Sequence, residues 1–202
     1  MLDKYRNKVE RIINPIASKI KLEANFLSYL SLLFAIFSGI SSYFSYEIRY
    51  LLLVSSFFII INGFLDAIDG EIARIRKKES KKGDFIDHSI DRFSDVFMLG
   101  GIAISPWINK IIGIASLSIV LLISYLGTQA QAIGYKRVYS GLLGRADRIL
   151  ILFISLIIQF FVQYKIFGFF LIEWVMLYFI FAGLITIIQR YFEIIKWLEF
   201  DK

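Results

Sequence analysis

At 202 residues, with 57% hydrophobic residues and a mean hydropathy of +0.66, the chain is too apolar for a soluble domain of its length. It has no cysteine and one histidine, His88, which excludes disulfides, thiol nucleophiles and zinc–thiolate sites and leaves almost no scope for histidine-based metal or serine–histidine chemistry. Carboxylate and hydroxyl chemistry remains, and the formal net charge of +6 suits an anionic lipid surface or a phosphorylated substrate; no nucleic-acid partner is expected.

Residues 1–21 read as an amphipathic helix lying on the membrane. Apolar Leu2, Tyr5, Val9, Ile12, Ile13 and Ile16 recur at helical spacing against Lys4, Arg6, Lys8 and Arg11, and Pro15 should kink it. No cleavable leader is expected, because no short apolar run with a small-residue cleavage site directly follows the basic N-terminal residues. Six apolar segments come next, at about 25–46, 50–73, 84–104, 108–135, 148–168 and 170–191, each near the roughly 20 residues that a bilayer crossing needs. The fold class expected is therefore an all-α integral membrane protein: six transmembrane helices preceded by an interfacial helix, in one domain over residues 1–202. The basic residues set the orientation. Nineteen Lys and Arg fall in the N-terminal segment, the 74–83 loop, the 136–148 loop and the C-terminal tail, whereas Arg49, Lys110 and Lys165 stand on the opposite side. Both termini are expected in the cytoplasm of a cell membrane. Tyr46, Trp107 and Trp174, near span ends, read as interface anchors. Gln129 and Gln131, inside the fourth segment, are expected to find partners in the interior.

The chemistry concentrates where the second and third segments meet. Asp66-x-x-Asp69-Gly70-x-x-Ala73-Arg74 is followed, after eight residues, by Gly83-x-x-x-Asp87-x-x-x-Asp91. Spacings of three and four put each carboxylate pair on one helix face, and two such faces brought together make an oxygen cage suited to hard divalent cations. One Asp near a helix end commonly just pairs with a neighbouring Lys or Arg. Four, matched in face and flanked by apolar chain, call for a ligand. Gly70, Ala73 and Gly83 keep the same surface open to close approach. His88 is turned about 100° from Asp87 and reads as a packing or hydrogen-bonding residue.

These two stretches resemble the signature of the CDP-alcohol phosphatidyltransferases, with every fixed position present at the right spacing. The resemblance implies that Asp66, Asp69, Asp87 and Asp91 hold two divalent cations, Mg²⁺ or Mn²⁺, and that Asp91 is also the catalytic base toward the acceptor hydroxyl. It implies that Gly70, Ala73, Arg74 and Gly83 cradle the cytidine nucleotide. Asn25-Phe26-Leu27-Ser28 is similar to the family's Pro-Asn-x-x-Thr start, which adds Asn25 and Ser28 to the nucleotide site; Ala24 stands in place of the proline and Ser28 in place of the threonine. It further implies a homodimer.

A second basic cluster bears on the acceptor: Lys136-Arg137, then Gly144-Arg145-Ala146-Asp147-Arg148, with Arg190 on the last segment. Topology alone accounts for Lys136 and Arg137, but less well for Arg148, which opens a span. Several such cations around one pocket suit a phosphomonoester dianion. The stretch resembles the branch of the family that makes archaetidylinositol phosphate and phosphatidylinositol phosphate. By that likeness Lys136, Arg148 and Arg190 bind the phosphate of inositol 1-phosphate, and the donor is CDP-archaeol or CDP-diacylglycerol drawn from membrane lipid. The alternatives are a glycerol 3-phosphate acceptor, as in phosphatidylglycerophosphate synthesis, or, in a different class, a cation transporter. Against the transporter stand the absence of paired repeats and the placing of the carboxylates toward the cytoplasmic span ends.

Overall fold

The computed structural model describes residues 13–76, 80–136, 138 and 140–200. Among these, six long helices follow in order: α1 (Ala24–Phe44), α2 (Leu51–Ile75), α3 (Lys81–Ile104), α4 (Lys110–Ala132), α5 (Arg145–Phe161) and α6 (Leu171–Phe200). Each segment expected to span overlaps one of them. α1, α2, α4 and α6 are long and apolar enough to cross a membrane, which makes this a multi-pass membrane protein. α3 falls short because Asp84, Asp87, Asp91, Arg92 and Asp95 interrupt its apolar face. α5 falls short in length, its 17 residues reaching about 25 Å. The two exceptions are the helices that carry most of the charged groups described below.

The ends of α5 differ from expectation for identifiable reasons. The helix starts at Arg145, before Arg148, because the buried carboxylate of Asp147 reaches back to accept the Gly144 N–H at 3.1 Å. It stops at Phe161, short of residue 168. Val162 is extended, and the chain then reverses tightly with Phe167 at φ 50 and Gly168 at φ 86. Glu173 anchors the next helix by accepting the N–H groups of Asn109 and Phe170 at 2.8 and 3.2 Å. α6 continues past the expected residue 191 to Phe200.

α1 packs on both α2 and α3, α2 on α5, α3 on α4, and α4 and α5 on α6. Without water to drive helices together, their association in a bilayer relies on close backbone approach and interhelical hydrogen bonds. Both are present here. A Cβ at Gly39 of α1 would overlap the Phe97 carbonyl of α3, and one at Gly101 would overlap the Gly39 carbonyl. Between α1 and α2, Ser55 Oγ lies 2.9 Å from Ser38 Oγ and 2.7 Å from Ser42 Oγ. Asn62 of α2, fully buried, donates to the Ser31 carbonyl of α1 and to Ser94 Oγ of α3. That bond set locks the three helices together one turn before Asp66. The main apolar core runs through Leu52, Ile59, Met98, Val120, Leu156 and Phe179.

Two expectations are corrected. Trp107 is 4% exposed, its indole N–H donating to Ser45 Oγ at 2.9 Å, so it belongs to the core rather than to the lipid interface. Gln129 and Gln131 are exposed on the last turn of α4, since that helix ends at Ala132 and not near 135; they need no interior partner. Of the N-terminal helix, residues 1–12, including Leu2, Tyr5, Val9 and Ile12, lie outside the described residues. Residues 13–17 are helical, with Ile13 and Ala17 buried against Leu27, Ile68 and Ile72. This part of the segment is fastened to α1 and α2.

Candidate active site

Three helices converge on the carboxylates. Asp66 and Asp69 come from α2 and Asp87 and Asp91 from α3, each pair one helical turn apart. α3 is started by Ser80, whose side chain accepts the Gly83 N–H at 3.1 Å. One oxygen from each of Asp66, Asp69 and Asp87 lies within 4.8 Å of the others, and the same holds for ligand atoms of Asp87, His88 and Asp91. Oxygen donors gathered this closely fit a hard divalent cation. α1 contributes Ser28, whose hydroxyl donates to Asp69 Oδ2 at 2.6 Å and so orients one carboxylate of the cage. His88 sits 3.2 Å from both Asp87 Oδ2 and Asp84 Oδ1, in keeping with a hydrogen-bonding role.

The residues expected at the nucleotide lie alongside. Asn25 Oδ1 is 3.9 Å from where a Cβ on Gly83 would stand, so α1 and α3 meet there across a glycine. Arg74 lies back along its own helix. Its Nε donates to the Gly70 carbonyl at 3.2 Å, and its Nη2 is 3.3 Å from Glu71 Oε2. Glu71 is itself buried and accepts from Asn14 Nδ2 at 3.0 Å, which joins the N-terminal segment to this group. Arg76 donates to the carbonyls of Ile20 and Leu22 and reinforces the same junction. Ala73 is half-buried on the same stretch of α2.

The sequence reading did not assign Arg145, Arg92 or Asp95. Arg145 Nη1 lies 2.5 Å from Asp66 Oδ2 and 2.7 Å from Asp91 Oδ1, bridging the two arms of the carboxylate hairpin. Arg92 Nη2 is 3.3 Å from Asp91 Oδ2 and 3.9 Å from Asp95 Oδ2. Arg148 Nη2 donates to Asp95 Oδ2 at 2.8 Å, and both side chains are only 3% exposed. Asp87, Asp91 and Asp95 thus form a ladder at four-residue spacing on α3, and Arg145 and Arg148, three apart on α5, reach into it. The signal was available as Asp95 one turn beyond Asp91 and Arg145 one turn before Arg148. Only the packing of α5 on α2, which lets its arginines reach the carboxylates of α3, reveals which charges meet.

The three cations expected at the acceptor phosphate have different settings. Arg148 is tied to the carboxylate cage through Asp95 and Arg92. Arg190 is buried, its Nε donating to the Ser140 carbonyl at 2.9 Å and its Nη1 to the Ile123 carbonyl at 2.6 Å, so it secures the loop that leads into α5. Thr186 helps it by accepting the N–H groups of Leu142 and Leu143 at 3.1 and 3.0 Å. Lys136 is exposed, with Nζ 5.6 Å from the Tyr135 ring centroid.

Residues 21–189 match the model of the CDP-alcohol phosphatidyltransferases. The chain belongs to that family. Its reaction class is therefore enzymatic group transfer, which sets the transporter alternative aside. The chain is 30% identical to an archaetidylinositol phosphate synthase of Pyrococcus horikoshii over 98% of this chain and 99% of that one. It is 30% identical to the Methanothermobacter thermautotrophicus archaetidylinositol phosphate synthase over 75% of each. Among solved structures, the Mycobacterium tuberculosis phosphatidylinositol phosphate synthase with CDP-DAG bound superposes with a TM-score of 0.73 at 21% identity, covering 91% of this chain and 94% of that one. A crystal structure of the same enzyme in complex with manganese and citrate also has a TM-score of 0.73, at 20% identity, with 90% and 88% covered. These likenesses place the fold.

Proposed function

We propose that this chain moves the lipid phosphate group of a CDP-linked lipid onto inositol 1-phosphate, releasing CMP. The observation that carries the reading is the continuity of one charge network, from the motif carboxylates Asp66 and Asp91 through Arg145, Arg92 and Asp95 to Arg148. A phosphorylated acceptor held at Arg148 would stand next to the groups that hold the donor diphosphate. The relatives named as archaetidylinositol phosphate synthases support the same acceptor.

In this reading Asn25, Gly70, Ala73, Arg74 and Gly83 seat the cytidine nucleotide, with Arg74 offering a fork to a phosphate. Ser28 serves the same region by fixing Asp69. Asp66, Asp69, Asp87 and Asp91 hold divalent cations, two in number, Mg²⁺ or Mn²⁺; the solved relative bound to manganese supports the choice. Such ions supply charge neutralisation of the diphosphate and stabilisation of the departing phosphate oxygen. The acceptor hydroxyl oxygen bonds to the phosphorus that bears the lipid, the bond from that phosphorus to the CMP oxygen breaks, and Asp91 takes the hydroxyl proton. Arg148 binds the acceptor phosphate, with Lys136 and Arg190 completing its surroundings; Arg190 does so while fixing the 140–144 loop. CDP-archaeol is the preferred donor, on the strength of the archaeal relatives, with CDP-diacylglycerol second. All six helices cross the bilayer, with both termini and the site on the cytoplasmic side, and the protein works as a homodimer.

Glycerol 3-phosphate carries the same dianion, and so it is the second reading. The test is product identification. Enzyme purified in detergent with CDP-archaeol, Mg²⁺ and inositol 1-phosphate should yield a lipid whose mass includes an inositol phosphate headgroup, together with CMP. A product formed from glycerol 3-phosphate and none from inositol 1-phosphate would reassign the acceptor.

A further inference from the structure

Asp95 lies outside the motif that carries the four cage carboxylates, one helical turn beyond Asp91 and deeper along α3. It is 3% exposed and faces two guanidinium groups at once, Arg148 at 2.8 Å and Arg92 at 3.9 Å, both through Oδ2. Arg148 meets it with a single terminal nitrogen. Among the described residues the buried Nε of Arg148 has no hydrogen-bond partner, and the same is true of Arg92 Nε. A buried donor left unpaired costs about 1–3 kcal/mol, more when charged, unless a ligand satisfies it.

We propose that Asp95 is a positioning residue of the acceptor site. It grips the Arg148 guanidinium at one corner, so that the other N–H groups meet the phosphate of the incoming acceptor. The inference rests on the acceptor reading given above, and deepens it. An arginine has five N–H donors in a rigid plane, so fixing one corner fixes where the rest aim. Without Asp95, Arg148 would be a buried cation with no fixed counter-ion, drawn toward the carboxylate of Asp91, which Arg92 and Arg145 already share. An interhelical strap between α3 and α5 would use the same ion pair. The two roles differ in what they predict for substrate binding.

The experiment compares wild type, Asp95→Asn, Asp95→Glu, Arg148→Gln and the double variant Asp95→Asn/Arg148→Gln. It measures kinetics against each substrate, with Mn²⁺ binding followed by electron paramagnetic resonance. Losing the charged anchor should raise the KM for inositol 1-phosphate about tenfold in Asp95→Asn, with the KM for the CDP-lipid and the Mn²⁺ affinity changed less than about twofold. Asp95→Glu keeps the charge on a longer arm; it should fold and raise the same KM about threefold. The double variant should show an acceptor KM no higher than Arg148→Gln alone, because Asp95 acts through Arg148. A fall in thermal stability with the acceptor KM unchanged in Asp95→Asn and Asp95→Glu would reduce Asp95 to a strap and overturn the proposal. So would a double variant whose KM is the product of the two single effects. Failure of the acceptor reading shows separately, in the wild type. If glycerol 3-phosphate is the dianion turned over, the same KM comparison is read with it. Turnover of only unphosphorylated acceptors would overturn both.

Discussion

Arg145 has the most consequential contacts of any residue in the site. Its guanidinium joins Asp66 on α2 to Asp91 on α3, two carboxylates that would otherwise repel across the hairpin. With Arg145→Gln that compensation is lost, and a divalent cation becomes the main remaining source of it. The melting temperature in EDTA should therefore fall, and Mg²⁺ should raise it by more than in wild type, since a ligand that binds only the folded state stabilises it by mass action. Equal shifts by Mg²⁺ in the two proteins would show that Arg145 does not share the cation's electrostatic role. The donor and acceptor groups should also separate kinetically. Arg74 packs against Gly70 and Glu71, whereas Arg148 pairs with Asp95, and the proposed reading puts the first at the nucleotide and the second at the acceptor. Arg74→Ala should raise the KM for the CDP-lipid, and Arg148→Ala that for the phosphorylated acceptor, each by about tenfold or more. Equal losses against both substrates in both variants would contradict two distinct subsites. At this scale the cage was legible, because four aspartates at helical spacing on two arms leave few alternatives. The salt bridges of Arg145 and Asp95 were not, because each depends on how α5 is turned against α2 so that its arginines reach α3, and no local spacing encodes that.

The helices themselves were readable from hydropathy, and their ends much less so. α5 begins at Arg145 because of one backward-reaching carboxylate, Asp147, and ends at Phe161 because a tight reversal follows. Neither is an apolar-pattern signal. Trp107 looked like an interface anchor from its position at a span end, but a hydrogen bond to Ser45 and edge contacts with Tyr46 and Phe170 bury it. The contact of α1 with α3 is the element-scale feature that the site depends on most. It brings Asn25 beside Gly83, while the neighbouring contact of α1 with α2 brings Ser28 to Asp69. Gly39→Leu forces a side chain into the Phe97 carbonyl, so overpacking should destabilise the protein by about 2 kcal/mol and push the two helices apart. Chemical denaturation in mild detergent measures this, and an unchanged midpoint would mean that the helices separate freely there.

The whole molecule places its charges asymmetrically. Among the described residues, Arg49, Lys110 and Lys165 lie at one end of the helices, whereas the carboxylate cage and Arg74, Arg76, Lys81, Lys82, Lys136 and Arg145 lie at the other. The chain contains no cysteine, so single cysteines report topology without background. Lys82, Lys110 and Lys165 are all exposed, which makes each a labelling site. In intact cells an impermeant thiol reagent should modify Lys110→Cys and Lys165→Cys and spare Lys82→Cys until the membrane is opened; the reverse pattern would invert the orientation. The central claim, that a phosphorylated acceptor meets a cation-loaded carboxylate cage at the Arg148 side, is tested most directly by comparing CMP release with inositol 1-phosphate and with free inositol. Both arms use purified enzyme and CDP-archaeol, with Mg²⁺ present or chelated. A site whose buried guanidinium groups expect a phosphate should favour inositol 1-phosphate by about a thousandfold or more in kcat/KM, and chelation should abolish turnover. Comparable turnover of free inositol, or full activity in excess EDTA, would contradict the account.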